Sequence, residues 1–262
     1  MASVVSMKKP AGMSDAEHEL RVDLAAAFRL ADRFGWSQLV WNHITARCPD
    51  NPNHFLINPM GVRWDEMTAS LLVKVDVEGN TLEVIDGEGL VPKAGFVIHS
   101  GVFEARPDIN AIVHTHTDDA VAVCALKDGL QPICMEALFF YNSMGYHPFE
   151  GTSMDTDERT RLAKSLGANR AMIMQNHGVV TVGSSVGEAF VLMYWLERAC
   201  RIQMKVLASN LPWTTVPEEI ANHYTGQEDE PRDITEDFRP GVHEWPALKR
   251  LLDRDDPSYR GL

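Results

Sequence analysis

The chain has 262 residues, of which 45% are hydrophobic and 23% charged, a composition that supports one large domain with a substantial buried core. Thirty-seven acidic against 24 basic residues give a formal charge of −13 with no Lys/Arg-rich run, which excludes a broad nucleic-acid-binding surface. The longest plainly apolar run, Ala189 to Leu196, is far shorter than the ~20 residues a bilayer-spanning helix needs, and residues 1–12 lack the apolar stretch of a secretory leader, so a cytoplasmic protein with no membrane partner is expected.

Leu20 to Phe34 places Leu20, Leu24, Ala27, Phe28 and Ala31 on one face at helical spacing, and Gly35 follows as a stop. Four β-branched runs, VWNHITAR, HFLINP, LLVKVDVEG and TLEVID, are divided by Asn, Pro and Gly and read as antiparallel strands. Lys93 to Glu104 reads as a helix ended by Arg106-Pro107-Asp108, after which the apolar strand Ala111-Ile112-Val113 runs into His114-Thr115-His116. A helix over Val121 to Leu126 and a short strand near Pro132 to Met135 precede a loop of Tyr, Asn, Gly, His and Pro. Asp155 to Leu166 reads as a helix capped by Ser153 or Asp155, and the strand Ala171 to Met174 delivers Gln175-Asn176-His177-Gly178. Ser184 to Leu207 is a long amphipathic helix with Val186, Phe190, Met193, Leu196, Cys200 and Leu207 on one stripe. The reading divides the chain into a flexible 1–14, a domain over 15–209, and an acidic tail over 210–262 whose Trp245, Leu248, Leu251 and Leu252 mark a short helix. Such a tail is expected to dock on the domain or on a neighbouring subunit.

The four cysteines stand singly, without the spacing of a disulfide framework or a thiolate zinc site, and read as reduced thiols. His114 and His116 are a different matter. Alternate residues of a strand project to one face, so the pair can aim two imidazoles at one ion, and His177 occupies an analogous strand-end position. Three imidazoles without a thiolate suit Zn(II), Fe(II), Mn(II) or Co(II) and leave coordination positions open for water or substrate. Among the remaining histidines, His18, His54, His223 and His243 read as surface residues, His147 as a loop residue, and His99 as a structural residue facing the core. Asp118 and Asp119 read as capping residues of the next helix.

Five stretches together resemble the class II aldolase/adducin family: Ala94-Gly95-Phe96-Val97-Ile98-His99, Ala105-Arg106-Pro107-Asp108, Val113-His114-Thr115-His116-Thr117, Gln175-Asn176-His177-Gly178 and Val186-Gly187-Glu188-Ala189-Phe190. The resemblance spans roughly residues 15 to 209. It implies an α/β (α+β) three-layer fold with a central, mainly antiparallel sheet covered by helices. It also implies a homotetramer with active sites at subunit interfaces, and one divalent metal ion held by His114, His116 and His177. The chemistry implied is cleavage of a C–C bond, with the ion as Lewis acid.

Three departures from the aldolase pattern shape the expected activity. Gly95 stands where the aldolases have an acid/base Glu. Leu39-Val40-Trp41-Asn42 and Lys93-Ala94 replace the Gly-rich turn and paired serines that bind substrate phosphate. Met135 or Glu136 replaces a catalytic Tyr. The expected enzyme is therefore a lyase acting on a small non-phosphorylated hydroxy or keto acid, with Glu136 as substitute base if burial raises its pKa, and with Lys93 and Tyr141 as substrate-binding residues. Two alternatives stand beside it: a three-His non-haem iron oxygenase that cleaves the bond oxidatively, and a non-catalytic oligomerising interaction domain of the adducin kind.

Overall fold

A computed structural model describes residues 10, 12–151, 157–227 and 239–261. In chain order the elements are α1 (Asp15–Arg33), β1 (His43–Arg47), β2 (His54–Ile57), β3 (Val73–Asp76), β4 (Thr81–Glu83), α2 (Lys93–Ala105), β5 (Ala111–Thr115), α3 (Asp118–Cys124), α4 (Met135–Leu138), β6 (Met144–His147), α5 (Glu158–Leu166), β7 (Ala171–Met174), β8 (Gly178–Gly183), α6 (Val186–Ala208), α7 (Glu218–Gln227) and α8 (Glu244–Asp255). The eight strands form one sheet in the order β4-β3-β2-β1-β5-β8-β7-β6. Every neighbouring pair is antiparallel except β6–β7.

Side-chain alternation along the strands builds two cores, one on each face of the sheet. Ile44, Ala46, Leu56, Ala111, Val113, Ile173 and Val179 pack toward α1, α3 and α6. Phe55, Ile57, Ile112, Met172, Met174 and Val180 pack toward α2 and α5. The result is the three-layer α/β architecture, helices on both faces of a mainly antiparallel sheet, that the resemblance implies. Strands β5, β7 and β8 are buried along their whole length, which is why β5 and β7 read as unbroken apolar runs.

Local chemistry sets the long helices. The Ser14 side chain caps α1 by accepting the Glu17 amide at 3.1 Å, and Ser185 caps α6 by accepting that of Glu188 at 3.1 Å. Within α1, Arg21 is wholly buried, and it donates to Glu17, to Glu83 and to the Leu72 carbonyl, tying the helix to the sheet edge. Of the α6 stripe, Val186, Phe190, Met193, Leu196 and Cys200 are buried, whereas Leu207 lies exposed.

The structure differs from the sequence reading at four places. The segment near Pro132–Met135 is not a strand: the amide of Ile133 bonds back to Gln131 in a turn, and Met135–Leu138 form the short helix α4. Loop residues Met144–His147 instead form β6, an edge strand paired in parallel with β7. The helix expected from Asp155 is described from Glu158, and its expected caps Ser153 and Asp155 lie outside the described residues. Part of the acidic tail is the helix α7, whose Ala221 is buried. The expected short helix near Trp245 is α8, which packs on α1 and α6, with Trp245 against the Phe190 ring and Lys249 paired to Asp23 at 2.5 Å.

Candidate metal centre

His114 and His177 reach one place from adjacent strands by different routes. His114 is the fourth residue of β5, and His116 follows it by two, so both leave the same face. His177 closes the turn Gln175–His177 between β7 and β8. Asn176, at φ 57°, supplies the left-handed residue this turn needs, and its amide is tied to the Cys124 carbonyl at 3.1 Å. The three rings meet edge to face, with centroids 4.5 Å apart for His114–His116, 5.1 Å for His114–His177 and 4.7 Å for His116–His177. One nitrogen from each lies within 4.8 Å of the others.

The protons on these rings follow from their partners. His114 Nδ1 lies 2.9 Å from the Val179 carbonyl, which can only accept, so Nδ1 carries the hydrogen and Nε2 is a bare lone pair. His116 Nδ1 faces Gln38 Oε1 at 3.1 Å, and donating to that oxygen gives the same tautomer. The two bare Nε2 atoms are then 2.7 Å apart. Two lone pairs at that distance repel, and a shared cation is what relieves them. Protonation is the other relief, and burial opposes it: desolvation first, then neighbouring rings, hold His114 well below the ordinary imidazole value and bring His116 down to about 4. His177 is lowered by burial and by His147. The donor set therefore fits a divalent ion.

Packing around the cluster is close. A Cβ on Gly178 would stand 2.5 Å from His116 Cδ2 and 2.5 Å from the Thr115 carbonyl, so only glycine fits there. Behind the strand, the buried Glu197 of α6 accepts hydrogen bonds from the hydroxyls of both Thr115 and Thr117, the two residues flanking His116. Burial raises the Glu197 pKa against the pull of these two bonds.

The other expected site residues are not in this cluster. Glu136 pairs with Arg198 of α6 at 2.6 Å. Its partial burial pushes the pKa up, but the Arg198 hydrogen bond and charge outweigh this and leave it lowered, the opposite of what a substitute base needs. Lys93 is exposed at the start of α2, and Tyr141 is half-buried after α4. Asp118 and Asp119 occupy the first turn of α3. His147 is a buried strand residue rather than a loop residue, with Nε2 lying 3.5 Å from the buried Glu158. His99 is buried, as expected, but it is joined to His43, which the sequence reading passed over. His43 stands opposite His114 in the β1–β5 register, with ring centroids 4.9 Å apart. The available signal was an His-x-Thr alternation at the start of a strand.

The description of the class II aldolase and adducin N-terminal domain matches residues 22–204. The chain belongs to the class II aldolase and adducin family. A solved aldolase II superfamily protein from Pseudomonas syringae is 40% identical, with a TM-score of 0.86 over 95% of this chain and 97% of its own. The L-fuculose 1-phosphate aldolase of Glaciozyma antarctica is 28% identical, with a TM-score of 0.81 over 96% and 97%. Mouse alpha-adducin is 47% identical over 194 residues, which are 74% of this chain but only 26% of that protein. This class II aldolase-like chain is thus similar both to an enzyme and to a much longer protein named as an adducin.

Proposed function

We propose that the protein is a metal-dependent lyase that cleaves a C–C bond in a small non-phosphorylated hydroxy or keto acid, with His114, His116 and His177 as the ligands of one divalent ion. The pair of bare nitrogens 2.7 Å apart, each with its tautomer set from behind, carries this reading. A divalent ion held there supplies Lewis-acid polarisation of the substrate carbonyl. Neutral imidazoles leave such an ion its full double charge, which favours an anionic acid as ligand.

The chain's own residues do the rest. Val179 and Gln38 orient the rings, and Glu197 fixes the strand end through Thr115 and Thr117. The turn into β1 carries no cation between Gln38 and His43, which supports a non-phosphorylated substrate. Lys93 remains the proposed cation for the substrate carboxylate. Leu39 and Trp41 on the same turn are exposed, which supports burial of this rim between the subunits of a homotetramer.

The likeness to alpha-adducin favours a second reading, a scaffold with no use for the ion. Elemental analysis of protein purified without chelator and under anoxia separates the two. The lyase reading expects one ion per chain, cleavage of hydroxy or keto acids without O₂, and loss of the ion in His114→Ala. Iron with O₂-dependent turnover transfers the chemistry to oxidative cleavage. Metal far below one per chain, not restored on reconstitution, leaves the scaffold.

A further inference from the structure

We propose that His43 is the side chain that hydrogen-bonds the ligand held at the three-histidine centre, presenting its Nε2 through the space that Gly95 leaves open; this deepens the metal-dependent reading and rests on it.

The register of β1 and β5 pairs His43 with His114, so both imidazoles leave the same face of the sheet as neighbours, their planes inclined by 32°. The Nδ1 edge of His43 is committed: His99 Nε2 lies 3.0 Å away, and His99 Nδ1 lies 2.6 Å from Thr45 Oγ1. His99 and Thr45 are wholly buried, so this three-membered chain ends in the core. The Nε2 edge is the uncommitted one. Among the described residues no protein group hydrogen-bonds it, yet it is not one of the sealed orphan atoms of the interior, so it is not wholly enclosed by the chain. An imidazole anchored by one nitrogen and open at the other is a built hydrogen-bonding position.

The anchor also decides what that position offers. A threonine hydroxyl can donate or accept. When Thr45 donates to His99, His99 donates to His43, and His43 Nε2 carries a hydrogen for a carboxylate or carbonyl oxygen. When the chain runs the other way, Nε2 accepts from a hydroxyl. Both rings stay neutral in either direction. A hydroxy or keto acid carries both kinds of oxygen.

Gly95 admits the ring. A Cβ at that position would stand 2.6 Å from His43 Cδ2 and 3.1 Å from Nε2, so any side chain there displaces His43. The glycine that departs from the aldolase pattern and the imidazole beside His114 are thus one structural arrangement, and a carboxylate at 95 is incompatible with this ring position.

The test uses the full chain loaded with Co(II) and titrated with acetohydroxamate, a bidentate oxygen ligand, followed by the visible absorption of the metal. His43→Asn keeps a hydrogen-bonding atom toward His99 but lacks one at the Nε2 position; His43→Gln reaches that position. The expected result is one cobalt per chain in all three proteins, hydroxamate affinity about tenfold weaker in His43→Asn, and recovery of most of that loss in His43→Gln. Gly95→Ala is expected to behave like His43→Asn. Unchanged affinity in His43→Asn overturns the inference, and so does loss of cobalt in that variant, which would make the ring a ligand or a structural prop. Failure of the wild-type chain to take up cobalt is seen before any hydroxamate is added, and it overturns the metal reading itself.

Discussion

A glycine sets how closely the strands of the metal centre approach. Gly178 begins β8 beside the end of β5 that carries His114 and His116, and a methyl group on it would press on the His116 ring and on the Thr115 carbonyl, both at 2.5 Å. The ring can move but the carbonyl belongs to the sheet ladder, so the strain falls on the cluster. Gly178→Ala is expected to cost about 1–3 kcal/mol of stability through overpacking and to weaken zinc binding by at least tenfold. Chelator competition with a zinc indicator measures the second effect. Zinc affinity equal to that of the unaltered chain would mean that the close contact is not what aligns His116. Glu197 shows the same economy at longer range, since one buried carboxylate holds both threonines that bracket His116.

Among the elements, α6 connects the centre to the C-terminal segment. Its second residue, Gly187, lies under Trp245 of α8, where a Cβ would come within 2.6 Å of Trp245 Cγ, and Gly241 packs on the Gly187 backbone in turn. Gly187→Ala is therefore expected to lift α8 off α1 and α6 at a cost of about 1–3 kcal/mol, read as faster hydrogen exchange across residues 244–255 with little change around β5. Equal exchange acceleration in both regions would show that α8 and the sheet open as one unit. The sequence showed those elements whose stability is local. Helices α1 and α6 carry their caps and apolar stripes within themselves, and β5 and β7 are apolar because both faces are covered. Strand β6 was hidden because Met144–His147 is short, contains Gly145, and is a strand only through its pairing with β7. The three histidines were visible because each sits at the end of a legible strand. His43 was not, since its partner His99 is 56 residues away and only the placement of α2 over β1 joins them. The lowered pKa of Glu136 was hidden for the same reason, because the arginine that claims it lies 62 residues further on.

For the whole molecule, the buried imidazoles make acid the natural denaturant. Burial, followed by repulsion from neighbouring rings, holds His43, His99 and His114 well below the ordinary value, whereas in the unfolded chain each takes a proton near pH 6.5. Below pH 6.5 the unfolded state binds protons that the folded state refuses. The stability these neutral rings confer is therefore fully present above 6.5 and is lost as pH falls toward their folded-state values, at about 1.4 kcal/mol per pH unit for each ring, or roughly 4 kcal/mol for the three. Glu197 works in the opposite sense, since burial raises its pKa and its folded form takes up a proton first, which offsets part of that loss. The urea midpoint of chelator-treated protein is accordingly expected to fall steeply between pH 6.5 and 5.5 and to be nearly level between 7.5 and 6.5. A midpoint unchanged down to pH 5.5 would require that these rings already carry protons in the folded chain. His114 and His116 could not then face each other as bare nitrogens.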